Sequence, residues 1–528
     1  MPQPCSIARS LGINVSELPE GLKLPDANTS KIRRSASVIL SREASGDYEV
    51  LLGHRVSELA SFPDYWAFPG GGISRVDIEA SKVLKGKLEV SDSHEEACFA
   101  LLREMVEEIG LSPSGRGTII EVSSKIRESV CEDKSEWLRL VNEGEIVIDG
   151  FHCEMITDRT TPPFSPMRFQ NYFFHVPLGD SMVSPTFPSG RSEFDDFRWW
   201  KPRELIQQWE ENKVRLPPPI VTLVRDLARG VDEQGDLLSA CESLSEDPPS
   251  GDHRIEFAPG VEVFPLKTET IPPSTHTNCY ILGELGGECV VVDPAARSDE
   301  SLAYLESKIS QAVSSGTKIV ATIFTHKHPD HIGDISRISE IYEAPIWGSP
   351  ITLSAISHDG TSSSIEEGDS FTLRGPNGIT EWSVIETPGH CPGHICLVGD
   401  SGIVSGDNCV VIGTILVPSS DGNMNSYISG LDRIRSLEPT MLFPGHGPAC
   451  TNPPRLLGRY IKHRTARHDS VLNAVLSGLS SLEEITLHAY QDSPDAHPIL
   501  SQDQALSHLN SLVESKKIEI RAGHYFPT

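Results

Sequence analysis

A chain of 528 residues, 38% of them hydrophobic, is long enough for two or three domains with ordinary cores. Its formal net charge of −29 opposes broad, nonspecific adhesion to nucleic acid or anionic membrane, although a local basic patch could still hold RNA. Eleven cysteines, scattered singly without a paired framework, fit a reducing intracellular compartment.

Residues 1–33 read as an N-terminal extension. They lack a secretory pattern, and Glu17, Glu20 and Asp26 set against Arg9 weaken a transit-peptide reading. No later segment is apolar enough to span a membrane. The expectation is an intracellular, cytoplasmic protein, with a mitochondrial or other organellar address left open. From Ser35 to Leu40 and from Tyr48 to His54, β-branched and apolar residues bracket Gly46-Asp47, the pattern of two strands and a turn. Trp66-Ala67-Phe68-Pro69-Gly70-Gly71-Gly72 reads as a third strand closing on glycines, and three glycines alone are most often only a turn. Ala97, Ala100, Leu101 and Leu102 then suit a helix ending at Gly110, with Glu104, Glu107 and Glu108 on one face. Three adjacent carboxylates repel, and hard cations such as Mg²⁺ or Mn²⁺ make such a cluster tolerable. The plainer alternative is an exposed acidic helix paired with Lys or Arg.

Glu95, followed after seven residues by Arg103-Glu104-Met105-Val106-Glu107-Glu108-Ile109-Gly110, gives residues 34–229 a form that resembles a Nudix domain, an α/β/α sandwich. The resemblance implies that Glu104, Glu107 and Glu108 bind Mg²⁺ or Mn²⁺, with Glu104 as the catalytic candidate. It also implies that Arg103 orients the helix and that Glu95 is the leading acidic position. Glu89 stands where the family has a glycine six residues before Glu95, and an insertion from about Ile73 to His94 follows Gly72. That insertion is similar to one in the peroxisomal coenzyme A diphosphatases. So are Thr161-Pro162-Pro163, Arg168-Phe169, Glu193 before Trp199-Trp200, and Leu216-Pro217-Pro218-Pro219. The implied substrate is a nucleoside diphosphate derivative such as coenzyme A; the other reading is a module that only senses a nucleotide. Residues 230–254, rich in Gly, Ser, Asp, Glu and paired prolines, read as an exposed linker.

In residues 255–454 the apolar run Ile319 to Phe324 leads into Thr325-His326-Lys327-His328-Pro329-Asp330-His331, three histidines and an aspartate on a loop leaving a buried strand. Imidazoles and carboxylates are ligands that Zn²⁺ accepts. A lone His-x-His is usually a solvated pair, but Thr387-Pro388-Gly389-His390, Gly406-Asp407-Asn408 and Pro444-Gly445-His446-Gly447 complete a set. Here the chain resembles the metallo-β-lactamase-fold hydrolases, αββα sandwiches, with Asn278-Cys279-Tyr280 and Val290-Val291-Val292-Asp293-Pro294 opening the domain. The resemblance implies that His326, His328 and His390 hold one zinc, that Asp330, His331 and His446 hold the other, and that Asp407 bridges them. Asp330 is the catalytic candidate. A cysteine stands at the place of Asp407 in true β-lactamases of this fold, so antibiotic hydrolysis is not expected. Cys391 replaces a usual threonine and Asp334 a usual glycine, and neither removes a ligand. His394 is left to orient or pack, since the ligand set is full without it.

After His446 the pattern is helical from Arg455 through Leu479 and again from Leu500 to Ser515, before Lys517-Ile518-Glu519-Ile520. Residues 455–528 thus resemble the winged-helix tail of the β-lactamase-like-protein-two endoribonucleases. Lys462, Arg464 and Arg467, with His463 and His468, concentrate positive charge that could meet the phosphates of single-stranded RNA or form a solvated helix face. Two readings of the zinc site follow: RNA cleavage, favoured by the tail, and hydrolysis of a small thioester as in glyoxalase-two enzymes, favoured by the acidic body and the short segment from Asp407 to His446.

Overall fold

The computed structural model describes residues 32–528 apart from 45, 60–61, 116, 164, 166–167, 180–182, 250–252 and 359, so the expected extension lies almost wholly outside the described residues. The chain divides into two compact units, one ending at Pro259 and the other beginning at Gly260.

In the first unit the strand Ile32–Ala44 pairs in parallel with Arg168–Pro177 and antiparallel with Asp47–Arg55 and Gly70–Gly72. Strands alternate their side chains between two faces, and the burial follows that period. Val38, Leu40 and Leu51 pack with Phe99 and Leu102 of the helix Glu95–Glu104. Ile39, Val50 and Leu52 pack instead with Leu205, Trp209, Ile220 and Val224 of the helices Pro202–Glu210 and Pro218–Gln234. Covering both faces gives the expected α/β/α sandwich. The insertion is structured. It forms the helix Arg75–Val83, which opens on a Ser74/Asp77 capping box.

Two expectations change. Much of the stretch read as an exposed linker is helical: Pro218–Gln234 runs through its start, and Leu237–Glu246 follows, capped by Asp236. Its Leu237, Ala240, Cys241 and Leu244 recur at helical spacing and join the sandwich core, except Ala240, which is buried beside Gly230. Polar composition concealed a single apolar stripe. The cysteines are not all unpaired either, because Cys98 and Cys153 form a disulfide that joins residues 55 positions apart.

The second unit contains two sheets. One runs in the order Val261–Lys267, His276–Leu282, Glu288–Val292, Lys318–Ile323, Ile346–Gly348 and Ser362–Ser364; the other joins Ser370–Gly375, Gly378–Glu386, Ile395–Gly399, Gly402–Gly406 and Leu442–Pro444. The helix Asp299–Ser314 covers the first sheet and Met424–Ser436 the second, each with its own apolar core. The arrangement is the expected αββα sandwich. The tail comprises Pro453–Leu476, Leu482–Ala489 and Pro498–Glu514, then a hairpin of Ile518–Arg521 with His524–Pro527. Its short middle helix, absent from the sequence reading, starts on a Ser481/Glu484 capping box and buries Ile485 and Ala489.

Candidate metal centres

The parallel strands Glu288–Val292 and Lys318–Ile323 end side by side and deliver Asp293 and the His326–His331 loop to one edge of the sheet. The turn after Gly402–Gly406 adds Asp407, and the one after Leu442–Pro444 adds His446. His390 Nε2 lies 2.9 Å from His328 Nδ1 and 3.6 Å from Asp407 Oδ2. His446 Nε2 lies 3.4 Å from both His331 Nε2 and Asp407 Oδ2, and 3.6 Å from Asp330 Oδ2. All seven side chains expected as ligands therefore meet in one cluster. Gly445 makes room for it, since a Cβ there would stand 2.5 Å from Asp407 Oδ1 and from His331 Cε1.

The nitrogens that point away from the cluster are each tied down. His326 Nδ1 meets Thr325 Oγ1 at 3.0 Å, His390 Nδ1 donates to the Leu416 carbonyl at 2.7 Å, and His446 Nδ1 donates to the His276 carbonyl at 2.9 Å. His331 Nδ1 meets Asp293 Oδ2 at 2.8 Å, and His328 Nε2 meets Asp421 Oδ2 at 3.4 Å. Such outer partners fix ring orientation and tautomer. Asp293 and Asp421 had no role in the sequence reading. Asp293 sits in the left-handed region (φ +50°), where it also accepts hydrogen bonds from Thr325 N and Oγ1. A strand ending in an acid before Pro294 and the turn pair Asp421-Gly422 were the available signals. His394 lies between Thr387 Oγ1 and the Asp407 amide, both at 3.0 Å, so it sets the backbone that carries Asp407.

Inward, His326 Nε2 and Asp407 Oδ1 are buried without a hydrogen-bond partner. A buried polar atom left so is costly, and a cation supplies the missing partner. Among the described residues four ligand sets each converge within 4.8 Å: His326, His390 and Asp407; Asp330, His331 and His446; Asp293, His326 and His331; and His326, His328 and Cys391. Burial, reinforced by the neighbouring imidazoles, pushes His326 well below the usual histidine range and His390 down to about 4, so both present lone pairs rather than protons. Burial works against charge on His331 and Asp407 too. There the attraction wins: the carboxylates of Asp407 and Asp293 hold His331 well above its usual range, and His446 and His331 hold Asp407 well below its own. The residues present fit divalent cations.

A cavity of about 680 Å³ opens over the cluster. His328, Asp330, His390, Asp407 and His446 reach it, and its walls include Ile271, Pro272, Ile412, Leu416 and the tail residues Tyr490 and Leu500. The expected RNA-binding arginines do not form an open patch. Arg464 is 3% exposed, donates to Gln504 Oε1 and the Ile415 carbonyl, and stacks on Tyr427. Arg467 is 6% exposed, donates to the Ala489 carbonyl and Asp492, and stacks on Tyr490. Lys462 alone of the three is exposed, on the opposite side of the helix. Leu457, Tyr460, Arg464, Arg467 and Val471 follow a buried helical stripe, a spacing that carried this information in advance.

In the first unit the strand Gly70–Gly72 lies against the carboxylate helix. Gly70 N–H donates to Glu108 at 2.6 Å, and a Cβ on Gly71 would stand 2.4 Å from Glu104 Oε1. Arg103 is fully buried, with Nη1 donating to Glu104 at 2.8 Å and Glu107 at 2.6 Å, while Nε and Nη2 hold both oxygens of Asp77 from the insertion. Asp77 is the partner that sequence reasoning missed. Lys134 Nζ stands 3.7 Å from Glu104 and 3.6 Å from Glu107. Glu95 accepts from the Gly86 amide at 3.2 Å, so a glycine inside the insertion meets it, three positions before Glu89. The α-helix stops at Glu104, and Met105–Ile109 widens into a π turn in which Gly110 N–H donates to the Met105 carbonyl. Such turns gather at functional sites. Burial, then the Glu104 charge, pushes Glu108 well above the usual carboxylate range; Glu104 is raised by burial despite Arg103.

Residues 31–218 match the family model of the NUDIX domain, and residues 272–446 match that of the metallo-beta-lactamase superfamily. A beta-lactamase-like protein 2 homolog of Drosophila melanogaster is 23% identical over 259 residues, covering 46% of this chain and 84% of the relative. The homolog from Caenorhabditis elegans is 27% identical over 226 residues, 41% of this chain and 72% of its own. A hydroxyacylglutathione hydrolase of Klebsiella pneumoniae is 25% identical over 138 residues, 26% of this chain and 49% of that enzyme. The chain carries a NUDIX domain and a metallo-beta-lactamase domain, and it is a hydrolase.

Proposed function

We propose that the second unit hydrolyses a small thioester and that the first hydrolyses a nucleoside diphosphate derivative of the coenzyme A kind. The cavity carries the first half of this reading: a largely apolar chamber of about 680 Å³ beside the histidine cluster suits an acyl group, and chambers of this kind bury most of a small ligand. In this reading His326, His328 and His390 would hold one Zn²⁺, and Asp330, His331 and His446 the other, with Asp407 close to His331, His390 and His446. The pair supplies Lewis acidity and lowers the proton affinity of a water. Asp330, which faces the cavity, would accept through its free carboxylate oxygen the proton of the water whose oxygen bonds to the thioester carbonyl carbon, and would return it to the thiolate released as the carbon–sulfur bond breaks. Ile271, Ile412 and Leu416 would pack against the acyl group, and His394 keeps Asp407 in place. Arg464 borders this chamber, but its guanidinium already donates to Gln504 and the Ile415 carbonyl, and Arg467 donates to the Ala489 carbonyl and Asp492, which favours the thioester reading over a phosphate clamp. In the first unit Glu104, Glu107 and Glu108 hold Mg²⁺ or Mn²⁺ with Arg103 as their support; the π turn and the glycine strand favour a catalytic role over sensing alone.

The test compares an acyl-coenzyme A, an acyl-glutathione and a labelled unstructured RNA, with the zinc-loaded full chain and a His390→Ala control. Thioester turnover that vanishes in the variant, with RNA left intact, is expected. RNA cleavage with stable thioesters would reverse the choice. Glu104→Gln should abolish Mg²⁺- or Mn²⁺-dependent cleavage of coenzyme A while leaving the thioester reaction intact.

A further inference from the structure

The place that the sequence reading left without a role in the second unit is Cys391. One nitrogen each from His326 and His328 and the sulfur of Cys391 lie within 4.8 Å of one another, and all three residues are buried. The chain has other buried free thiols, at Cys241, Cys279, Cys289, Cys396, Cys409 and Cys450. Among the described residues only Cys391 converges with two imidazoles in this way. His326 Nε2 is buried with no hydrogen-bond partner. The backbone before the sulfur is pinned: Gly389 has φ +146°, a Cβ there would stand 2.4 Å from the Tyr427 backbone, and the Gly389 carbonyl accepts from Asn423 N at 2.8 Å. The backbone leading to the cysteine is therefore packed against the start of the helix Met424–Ser436.

We infer that His326, His328 and Cys391 form a binding site for a thiophilic divalent cation, overlapping the nitrogen and oxygen set of His326, His390 and Asp407. It rests on the reading of this cluster as a metal centre. Soft thiolate donors favour cadmium-like ions over the harder cations that carboxylates prefer, while imidazole accepts both kinds. Where a threonine would offer only a hard hydroxyl, this chain offers sulfur. Binding forms a metal–sulfur bond and releases the thiol proton to solvent, so one proton appears per ion bound through Cys391. Because His326 and His328 belong also to the zinc set of the proposed function, an ion held through sulfur competes with one held with His390, and the two occupancies exclude each other.

Cadmium is the probe. The full chain is stripped with a chelator in a Cys131→Ser background, which removes the one exposed free thiol among the described residues, and is then titrated with Cd²⁺. Uptake is followed by elemental analysis and by the ultraviolet sulfur-to-metal charge-transfer band. A band that saturates with the bound ion, disappears in Cys391→Ser and weakens in His326→Gln is expected. Cys391→Ser should also weaken Cd²⁺ binding by at least about tenfold, the lower end of what even an indirect partner of a metal is worth, and should leave Zn²⁺ binding nearly unchanged. An unchanged circular dichroism spectrum separates ligand loss from misfolding, and Cys391→Thr replaces the serine variant if that one does not fold. Cadmium bound without the band, or a band that survives in Cys391→Ser, overturns the inference and leaves the metal centre standing. No cadmium or zinc uptake by the parent protein overturns both.

Discussion

The two sites solve the problem of crowded like groups in opposite ways. In the first unit Glu104 and Glu107 are already met by protein cations, Arg103 and Lys134, and Glu108 by a backbone amide. In the second unit Asp407 is met by imidazoles, those of His331, His390 and His446, and two inward atoms, His326 Nε2 and Asp407 Oδ1, have no hydrogen-bond partner. Accordingly, the convergent ligand sets among the described residues all lie in the second unit. A site whose charges are compensated internally folds without its metal and needs the ion for chemistry. A site with buried, uncompensated lone pairs needs the ion for stability as well.

The largest effect that could break this comparison is at Arg103. Arg103→Ala leaves the buried Asp77 without its cation and Glu104 and the half-buried Glu107 with Lys134 alone, and removing one partner of a buried ion pair costs about 3–5 kcal/mol. Urea unfolding of the full chain should show that loss, and saturating Mg²⁺ should restore part of it by replacing the guanidinium. A variant as stable as its parent would mean that the carboxylates are not compensated by Arg103.

Next in size is a pH effect that separates burial from crowding. His175, in the strand Arg168–Pro177, is 5% exposed, meets Ser41 Oγ at 2.8 Å, and is pushed by burial down to about 4. An unfolded histidine titrates near 6.5, so between these values the unfolded chain binds more protons and folding stability falls as the pH drops. Stability is full above about pH 6.5, and the first unit loses about 3 kcal/mol by pH 4. Five of the seven tryptophans lie in this unit, which makes fluorescence during urea unfolding a suitable reporter. His175→Gln should flatten the profile over that window. An equally steep profile in the variant would assign the loss to other groups.

What was legible in the sequence was whatever chemistry sits within a few residues of itself. The His326–His331 loop and the Arg103–Glu108 run are contiguous, and glycines beside them announce turns. Their supports were not legible, because they come from far along the chain: Asp77 reaches Arg103 across 26 positions, Asp293 reaches His331 across 38, and Asp421 reaches His328 across 93. The tail fails for a different reason. Charge was counted there, but phase decides whether an arginine faces water, and Arg464 and Arg467 share a stripe with Leu457, Tyr460 and Val471. Polarity likewise hid the helix Leu237–Glu246, where apolar residues at helical spacing outweigh the serines and acids around them.

The smallest predicted effect concerns two aspartates that hold histidines of the second site from outside. Asp293 meets His331 at 2.8 Å, is also fixed by Thr325 N and Oγ1, and is buried. Asp421 meets His328 at 3.4 Å and shares its charge with Lys327 at 2.8 Å. Outer carboxylates of this kind are worth about 10–100-fold in metal affinity. Asp293→Asn should fall near the upper end, because its hydrogen bonds are shorter and the amide must also satisfy Thr325. Asp421→Asn should fall near the lower end, because Lys327 already draws on that carboxylate and the contact with the ring is long. Competition with a chromophoric chelator measures both, one ion at a time. Equal losses would mean that the two carboxylates act as general negative charge near the ions rather than through the ring nitrogens they touch; the reverse order would mean that the half-buried contact through Asp421, not the buried strand edge, sets how tightly the ion is held.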